Sequence, residues 1–334
     1  MRLLVRADSS SRIGSGHVMR TLAIAQAACD AGHEVAYAAA SMLDGPAARL
    51  RSEGIDLHLI DATAGSDADL AATLELARNW QADRVIADGY DFDARWDDAF
   101  AAANLGLLRV DDIADQPAYR PRWLLNQNPY AQRSDYAADS PSRFLLGADY
   151  LMLRREFRRA ERPRRDLAAR PRRILVTFGG ADPGHHSLPA VAALQPLLGP
   201  GGEILVLLGS GYTGPAIRES DGLSVLRDVA DMPALLASVD AAIAAAGSTI
   251  YELAWMQVPA LLVQTASNQA RICDFLAATL PELCLRPEAS PLDLATAVAT
   301  LLDSASARGS MLSRFGAASP GDPTLRLLDA LVAP

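Results

Sequence analysis

Apolar runs of four to seven residues alternate with helical patterns along nearly the whole chain. This alternation restricts the fold more than any other feature. Strands apolar along their whole length, each followed by an amphipathic helix, imply parallel βαβ units and a sheet covered on both faces. In the first half, strands are predicted at Leu3–Ala7, Glu34–Ala39, Ile55–Ile60, Arg84–Ala87 and Leu107–Val110, with Trp123–Asn126 a further candidate. Helices are predicted between them at residues 17–31, 43–53, 67–81 and 94–104. Within the first, Val18, Leu22, Ala25 and Cys29 recur on one face, and Gly32 stands where a C-terminal cap belongs.

The pattern breaks at residues 154–173, which hold ten Arg and two Pro. It then restarts, with strands predicted at Arg173–Phe178, Ile204–Leu208, Ser224–Val229, Ala241–Ala246 and Ala260–Gln264. Helices are expected up to about Leu198 and at residues 232–238, 249–256, 268–280, 291–304 and 323–332. With 334 residues, two domains are expected. They are residues 1–156, with the first glycine loop, and residues 173–334, joined by an Arg-rich connector at 157–172. The Arg run admits a polyanion-binding patch or a solvated interdomain surface, and in an acidic protein the second is preferred.

Composition removes several function classes. All 31 basic residues are Arg, so neither a lysine Schiff base nor a phosphate-binding P-loop lysine is available. A net charge of −9 argues against general affinity for nucleic acid or an anionic membrane. Cys29, Cys273 and Cys284 are few and far apart, so neither a disulfide framework nor a structural zinc site is expected. The N-terminal apolar run is too short for a signal peptide, and no uncharged apolar stretch is long enough for a transmembrane helix. A cytoplasmic setting and a monomer are expected.

The first chemical signal is Gly14-Ser15-Gly16-His17, between the first strand and the first helix. Small residues let a backbone approach a ligand, and a helix start offers free N–H groups and a positive dipole end. The dipole also disfavours an imidazolium, so His17 is expected as the neutral imidazole a general base requires. A plain glycine turn with a capping His is the alternative. Asp8, ending the first strand, is placed to orient His17 or to cap the loop. His33 and His58 flank or enter strands and are read as structural, and the adjacent His185 and His186 lack a third metal ligand at a suitable spacing.

These residues, continued in order along the chain, carry a resemblance. The opening DSSSRIGSGHVMRTLAIAQ, followed by AGHEV, resembles the UDP-2,4-diacetamido-2,4,6-trideoxy-β-L-altropyranose hydrolases of the pseudaminic acid pathway. That family is similar in turn to the MurG-type glycosyltransferases. The likeness continues through Asp88-Gly89-Tyr90, Asp111-Asp112, Asn126-Gln127-Asn128 with Tyr130, and Gly147-Ala148-Asp149-Tyr150 leading to Arg154-Arg155-Glu156-Phe157. In the second half it covers Gly179-Gly180-Ala181-Asp182, Gly247-Ser248-Thr249 with Glu252, and Asn268-Gln269. The family usually has a larger polar residue where Gly89 stands.

The resemblance implies an α/β protein of GT-B architecture, with two Rossmann-like domains facing across a cleft. The nucleotide would lie on the C-terminal domain and the sugar near the N-terminal loop. The implied reaction is inverting hydrolysis at the anomeric carbon, releasing UDP and free sugar for nonulosonic acid biosynthesis, without a cofactor or metal. His17 would activate water, beside a sugar-side set of Asp8, Gly14, Ser15, Gly16, Tyr90, Arg154 and Asn268. The nucleotide side would comprise Gly179, Gly180, Gly247, Ser248, Thr249, Glu252 and Gln269.

The residues of the second half agree by themselves. Both glycine turns lie between a strand and a helix, where backbone N–H groups can meet a diphosphate. Ser248 and Thr249 add hydroxyl donors. Glu252 is placed to accept both ribose hydroxyls, or is an ordinary first-turn acid. Asn268 serves as a ligand contact, an N-cap, or both. Arg154 and Arg271 are candidate diphosphate partners, with surface arginine the alternative. Three rival functions remain: a glycosyltransferase of the same fold, a non-catalytic nucleotide-sugar binding module, and an epimerase.

Overall fold

The computed structural model describes the chain except residues 210, 228, 317–319 and 334. The chain divides into two units, Met1–Arg155 with Ala317–Pro334, and Glu156–Gly316.

Unit 1 runs β1 (Arg2–Ala7), α1 (Gly16–Asp30), β2 (Glu34–Ala39), α2 (Asp44–Ser52), β3 (Asp56–Leu59), α3 (Asp67–Asn79), β4 (Arg84–Asp88), α4 (Ala94–Ala102), β5 (Gly106–Val110), β6 (Trp123–Asn126) and β7 (Arg143–Leu146). Its seven strands are parallel, in the order β3-β2-β1-β4-β5-β6-β7. Alternation along β1 sorts the core. Leu3, Val5 and Ala7 pack on the face covered by α1, while Leu4 packs with Phe92, Trp96 and Phe100 on the other.

Helix α5 (Arg155–Arg159) marks the boundary between the units. Unit 2 continues with β8 (Arg173–Thr177), α6 (Ser187–Leu198), β9 (Glu203–Leu207), β10 (Leu223–Leu226), α7 (Met232–Ser238), β11 (Ala241–Ala245), α8 (Thr249–Trp255), β12 (Ala260–Val263), α9 (Ala270–Ala277), β13 (Cys284–Leu285), α10 (Pro291–Asp303) and α11 (Ala305–Phe315). Six parallel strands are ordered β10-β9-β8-β11-β12-β13. Both sheets therefore have the doubly wound order of dinucleotide-binding folds.

Most predicted elements form, within a residue or two at their ends. β7, β13, α5 and α11 were not expected: β13 has two residues, and α11 is rich in Ser and Arg with an interior Gly309. The strand expected at Ser224–Val229 is found at Leu223–Leu226, and residue 228 of that expectation lies outside the described residues.

The expected second domain, 173–334, loses its last helix. Helix α12 (Pro323–Val332) packs in unit 1, where Leu327, Leu328, Ala330 and Leu331 join the core around α1. The cause is legible in α1, which buries Ala23, Ile24, Ala27 and Ala28 besides its sheet-facing side. A helix apolar on two faces needs a second cover. Thr324 moors the newcomer, its Oγ1 accepting from Leu153 N at 2.8 Å and donating to Leu151 O at 2.9 Å.

The Arg-rich segment belongs to unit 2 and clasps it. Arg162 lies over Trp255 at 4.1 Å and donates to the Trp255 carbonyl. Arg165 donates to the carbonyls of Leu236, Val239 and Met256. Arg170 reaches Leu197 O and Asp303. These carbonyls lie at or just past the C-terminal ends of α6, α7 and α8, where the final C=O groups lack helical partners and the dipole favours cations.

Candidate functional site

In the order 3-2-1-4 the chain winds away in opposite directions from strands 1 and 4, and ligands bind outside their carboxyl ends. β1 and β4 are adjacent in unit 1, with Ala7 opposite Asp88. The loop after β1 makes a tight Ser10–Gly14 bridge, closed by Gly14 at φ +73°, and delivers His17 in the first turn of α1. Ile86 faces α1, so Asp88, two residues on, faces α1 too. His17 Nδ1 lies 2.8 Å from Asp88 Oδ1. An Nδ1–H donated to the carboxylate leaves the Nε2 lone pair free to take a proton.

Arg20, at i+3 from His17, grips the same carboxylate. Its Nε is 2.6 Å from Asp88 Oδ2 and its Nη2 is 2.6 Å from Oδ1. Burial pushes the Asp88 carboxyl up, but the Arg20 guanidinium and then His17 overcome this and hold it at about 2. Arg20 Nη1 meets both oxygens of Asp112 at 2.8 Å. Its own charge is held firmly: burial opposes it, and Asp112 and Asp88 outweigh burial. The Tyr90 ring approaches the imidazole edge-on at 4.9 Å and is 42% exposed, whereas His17 is 7% exposed. A nearly buried imidazole held by a carboxylate thus stands beside an exposed aromatic ring.

Asp8 does not orient His17. It lies beyond Arg6 on the opposite sheet face, pairing with Arg6 at 2.8 Å and accepting from the N–H groups of Ala40 and Ser41. Arg6 is in turn held by the buried Asp69. The residues that sequence reasoning missed are Asp88 as the orienting acid, Arg20 and Asp112. Their usable signals were an acid at the end of the strand pairing with β1 and an arginine one turn after the histidine. Ser15 caps α1 without a side-chain bond, Gly16 is exposed, and Arg154 is half-buried just before α5. His33 Nδ1 lies 3.3 Å from the N-terminal amine.

In unit 2 the corresponding neighbours are β8 and β11, with Thr177 opposite Ala244. Both glycine turns follow these strands, and so come to one sheet edge. They are not equivalent. After Gly179-Gly180, buried Asp182 accepts from His186 N, Ser187 N and Ser187 Oγ at 2.9, 3.0 and 2.7 Å. A carboxylate thus already occupies the start of α6 and discourages a second anion there. At α8, Ser248 makes no side-chain cap bond, leaving its hydroxyl uncommitted to the helix, and Thr249 opens the first turn. Glu252 is half-buried in that turn. A Cβ added to Gly247 would stand 3.8 Å from Gln269 Nε2, while Gln269 Oε1 accepts from Thr265 N at 2.8 Å. Gln269 is therefore gathered with the Gly247 turn, and Asn268 is exposed beside it.

His185 and His186 diverge, one edge-on to Tyr212 at 6.0 Å and the other against Phe178 at 5.5 Å. Among the described residues no group of three or more His, Cys, Asp or Glu could hold a metal. None of the described helices is long and apolar enough to cross a membrane.

No family model matches the chain, and none of the curated proteins does. Solved structures match over nearly full length. The spinosyn rhamnosyltransferase SpnG superposes with a TM-score of 0.70 at 18% identity, covering 99% of this chain and 100% of that one. SnogD, a glycosyltransferase from Streptomyces nogalater, gives 0.64 at 19%, covering 99% and 98%. MurG from Acinetobacter baumannii gives 0.61 at 17%, covering 98% of each. SpnG has also been solved with thymidine diphosphate. The fold is GT-B, made of two Rossmann-like domains.

Proposed function

We propose that this chain cleaves the bond between the anomeric carbon and the diphosphate of a nucleotide sugar, with His17 as general base. The observation that carries this reading is the His17–Asp88 pair at 2.8 Å, seated at the carboxyl edge of the unit 1 sheet. Asp88 fixes the Nδ1–H tautomer, and Nε2 takes the proton of an attacking O–H as the nucleophile reaches the anomeric carbon. The C–O bond to the diphosphate breaks on the opposite side, giving inversion. Unit 2 takes the nucleotide. Gly247, Ser248 and Thr249 serve the diphosphate, and Glu252 accepts from the ribose hydroxyls. The chain has no lysine, so helix-end N–H groups, hydroxyls and arginine must carry the leaving charge.

Water is the nucleophile we favour, making the enzyme a hydrolase of a UDP-linked diacetamido-trideoxy sugar in the cytoplasm. Its support is the ordered set of segments shared with the pseudaminic acid pathway hydrolases. The second reading is glycosyl transfer to an acceptor hydroxyl. The solved neighbours favour it, since SpnG and SnogD carry transferase names. Incubation with a panel of UDP-linked diacetamido sugars and no acceptor, followed by proton NMR, separates them. Equimolar UDP and free sugar is the result expected. UDP release only after an acceptor alcohol is added would establish transfer instead.

A further inference from the structure

Near His17 lies a half-buried carboxylate, Asp112. Arg20 connects it to the dyad, with Nε and Nη2 on Asp88 and Nη1 on both Asp112 oxygens. Asp112 also accepts from Tyr90 Oη at 3.0 Å and from Asn128 Nδ2 at 3.1 Å, while Tyr130 Oη donates to its backbone carbonyl at 2.9 Å. Tyr90 returns to the imidazole through its ring edge. The contacts close a circuit: His17, Asp88, Arg20, Asp112, Tyr90 and back to His17. Its members come from α1, the end of β4, and the loops after β4 and β5.

The charges in this circuit are set for proton uptake. With a neutral imidazole, two carboxylates and one guanidinium leave one net negative charge. When His17 takes a proton the circuit becomes neutral. Arg20 fixes both sides of the ring, since its planar fork holds Asp88 against Nδ1 and its third nitrogen holds the acid that fastens Tyr90.

We infer that Arg20 is a positioning residue for this site, holding His17's carboxylate and Tyr90 in register and, balanced by Asp112, setting the charge against which His17 takes its proton. This rests on the reading of His17 as the base. The groups facing His17 are Asp88 from β4, Arg20 from α1 and Tyr90 from the following loop, with Asp112 behind Arg20. Tyr37 of β2 stands nearby, bonded to Thr21.

The test compares Arg20→Met, Arg20→Lys and Asp112→Asn in the full-length protein, by rate against pH, nucleotide affinity, and the pH titration of His17 ring resonances. Arg20→Met removes a positive charge, so the acid limb of the rate profile moves to higher pH. Asp112→Asn leaves Arg20 less compensated, so that limb moves to lower pH. Arg20→Lys keeps the charge but not the fork, so the limb stays while the rate falls about 10²-fold, the scale of a small misplacement. Nucleotide affinity is unchanged in all three. If Arg20→Met fails to fold, the other two variants still carry the test. Limbs that stay put in Arg20→Met and Asp112→Asn, or move in the same direction, overturn the inference, as does a full rate in Arg20→Lys. The NMR titration requires no turnover: opposed midpoint shifts in an inactive wild type would uphold the circuit and reject the nucleotide-sugar reading.

Discussion

Replacing Asp88 by Asn keeps the shape of the side chain and removes its charge. Asp88 is 1% exposed, and both of its oxygens are engaged. Oδ1 serves His17 Nδ1 and Arg20 Nη2, and Oδ2 serves Arg20 Nε. An Asn has only one acceptor oxygen, so its NH₂ must face a donor. Facing Arg20 Nε, it sets N–H against N–H. Facing His17, it donates to Nδ1 and drives the ring to the Nε2–H tautomer, which cannot act as a base. Loss of a well-placed base or its tautomer costs ~10²–10⁴-fold, or about 3–5 kcal/mol of barrier. Stability should fall less, by ~1–3 kcal/mol, because Arg20 keeps Asp112. The assay is release of nucleoside diphosphate under single-turnover conditions, with nucleotide affinity measured by calorimetry. A rate loss of that size with unchanged affinity is expected. A folded Asp88→Asn protein with near wild-type rate would refute the dyad.

Three further outcomes follow from other parts of the molecule. Gly247→Ala should leave the melting temperature unchanged, since the nearest atom to an added Cβ is 3.8 Å away, while placing a methyl in the turn assigned to the diphosphate. About 1–3 kcal/mol of overpacking predicts roughly tenfold or greater loss of nucleotide affinity, read by calorimetry. Arg165→Ala removes a cation from three helix-end carbonyls and should destabilise the protein by ~1–3 kcal/mol, seen in urea unfolding, with catalytic rate unchanged at a temperature where it stays folded. Asp88 is depressed in the fold from its ordinary 3.8 to about 2. A depressed acid stabilises above its unfolded value, so its contribution of ~2 kcal/mol is present above about pH 4 and lost as pH falls toward 2. Urea midpoints across that window should drop less steeply in Asp88→Asn than in wild type.

The doubly wound architecture was legible in the sequence because parallel strands are apolar throughout and their helices are not. His17 was legible because a glycine turn opening a helix is a local pattern. Asp88 as its partner was not, since it lies 71 residues away and meets His17 only through strand order. Asp8 was the natural guess because it ends the same strand as the loop, but the pleat turns it to the wrong face. The C-terminal helix illustrates the same limit: its apolar face was visible, while its cover, α1, lies in the other half of the sequence. The Arg-rich run is largely exposed, in keeping with a solvated segment, but its sequence did not show that Arg162, Arg165 and Arg170 reach the carbonyls at helix ends, because those carbonyls lie 27 to 93 residues away along the chain.

The most direct test of the account is the single-turnover rate of diphosphate release by His17→Ala from a UDP-linked diacetamido sugar, with UDP affinity measured on the same preparation. A fall of ~10²–10⁴-fold at unaltered affinity is the result expected. Release at close to the wild-type rate would show that the imidazole beside Asp88 is not the base, whatever the fold around it.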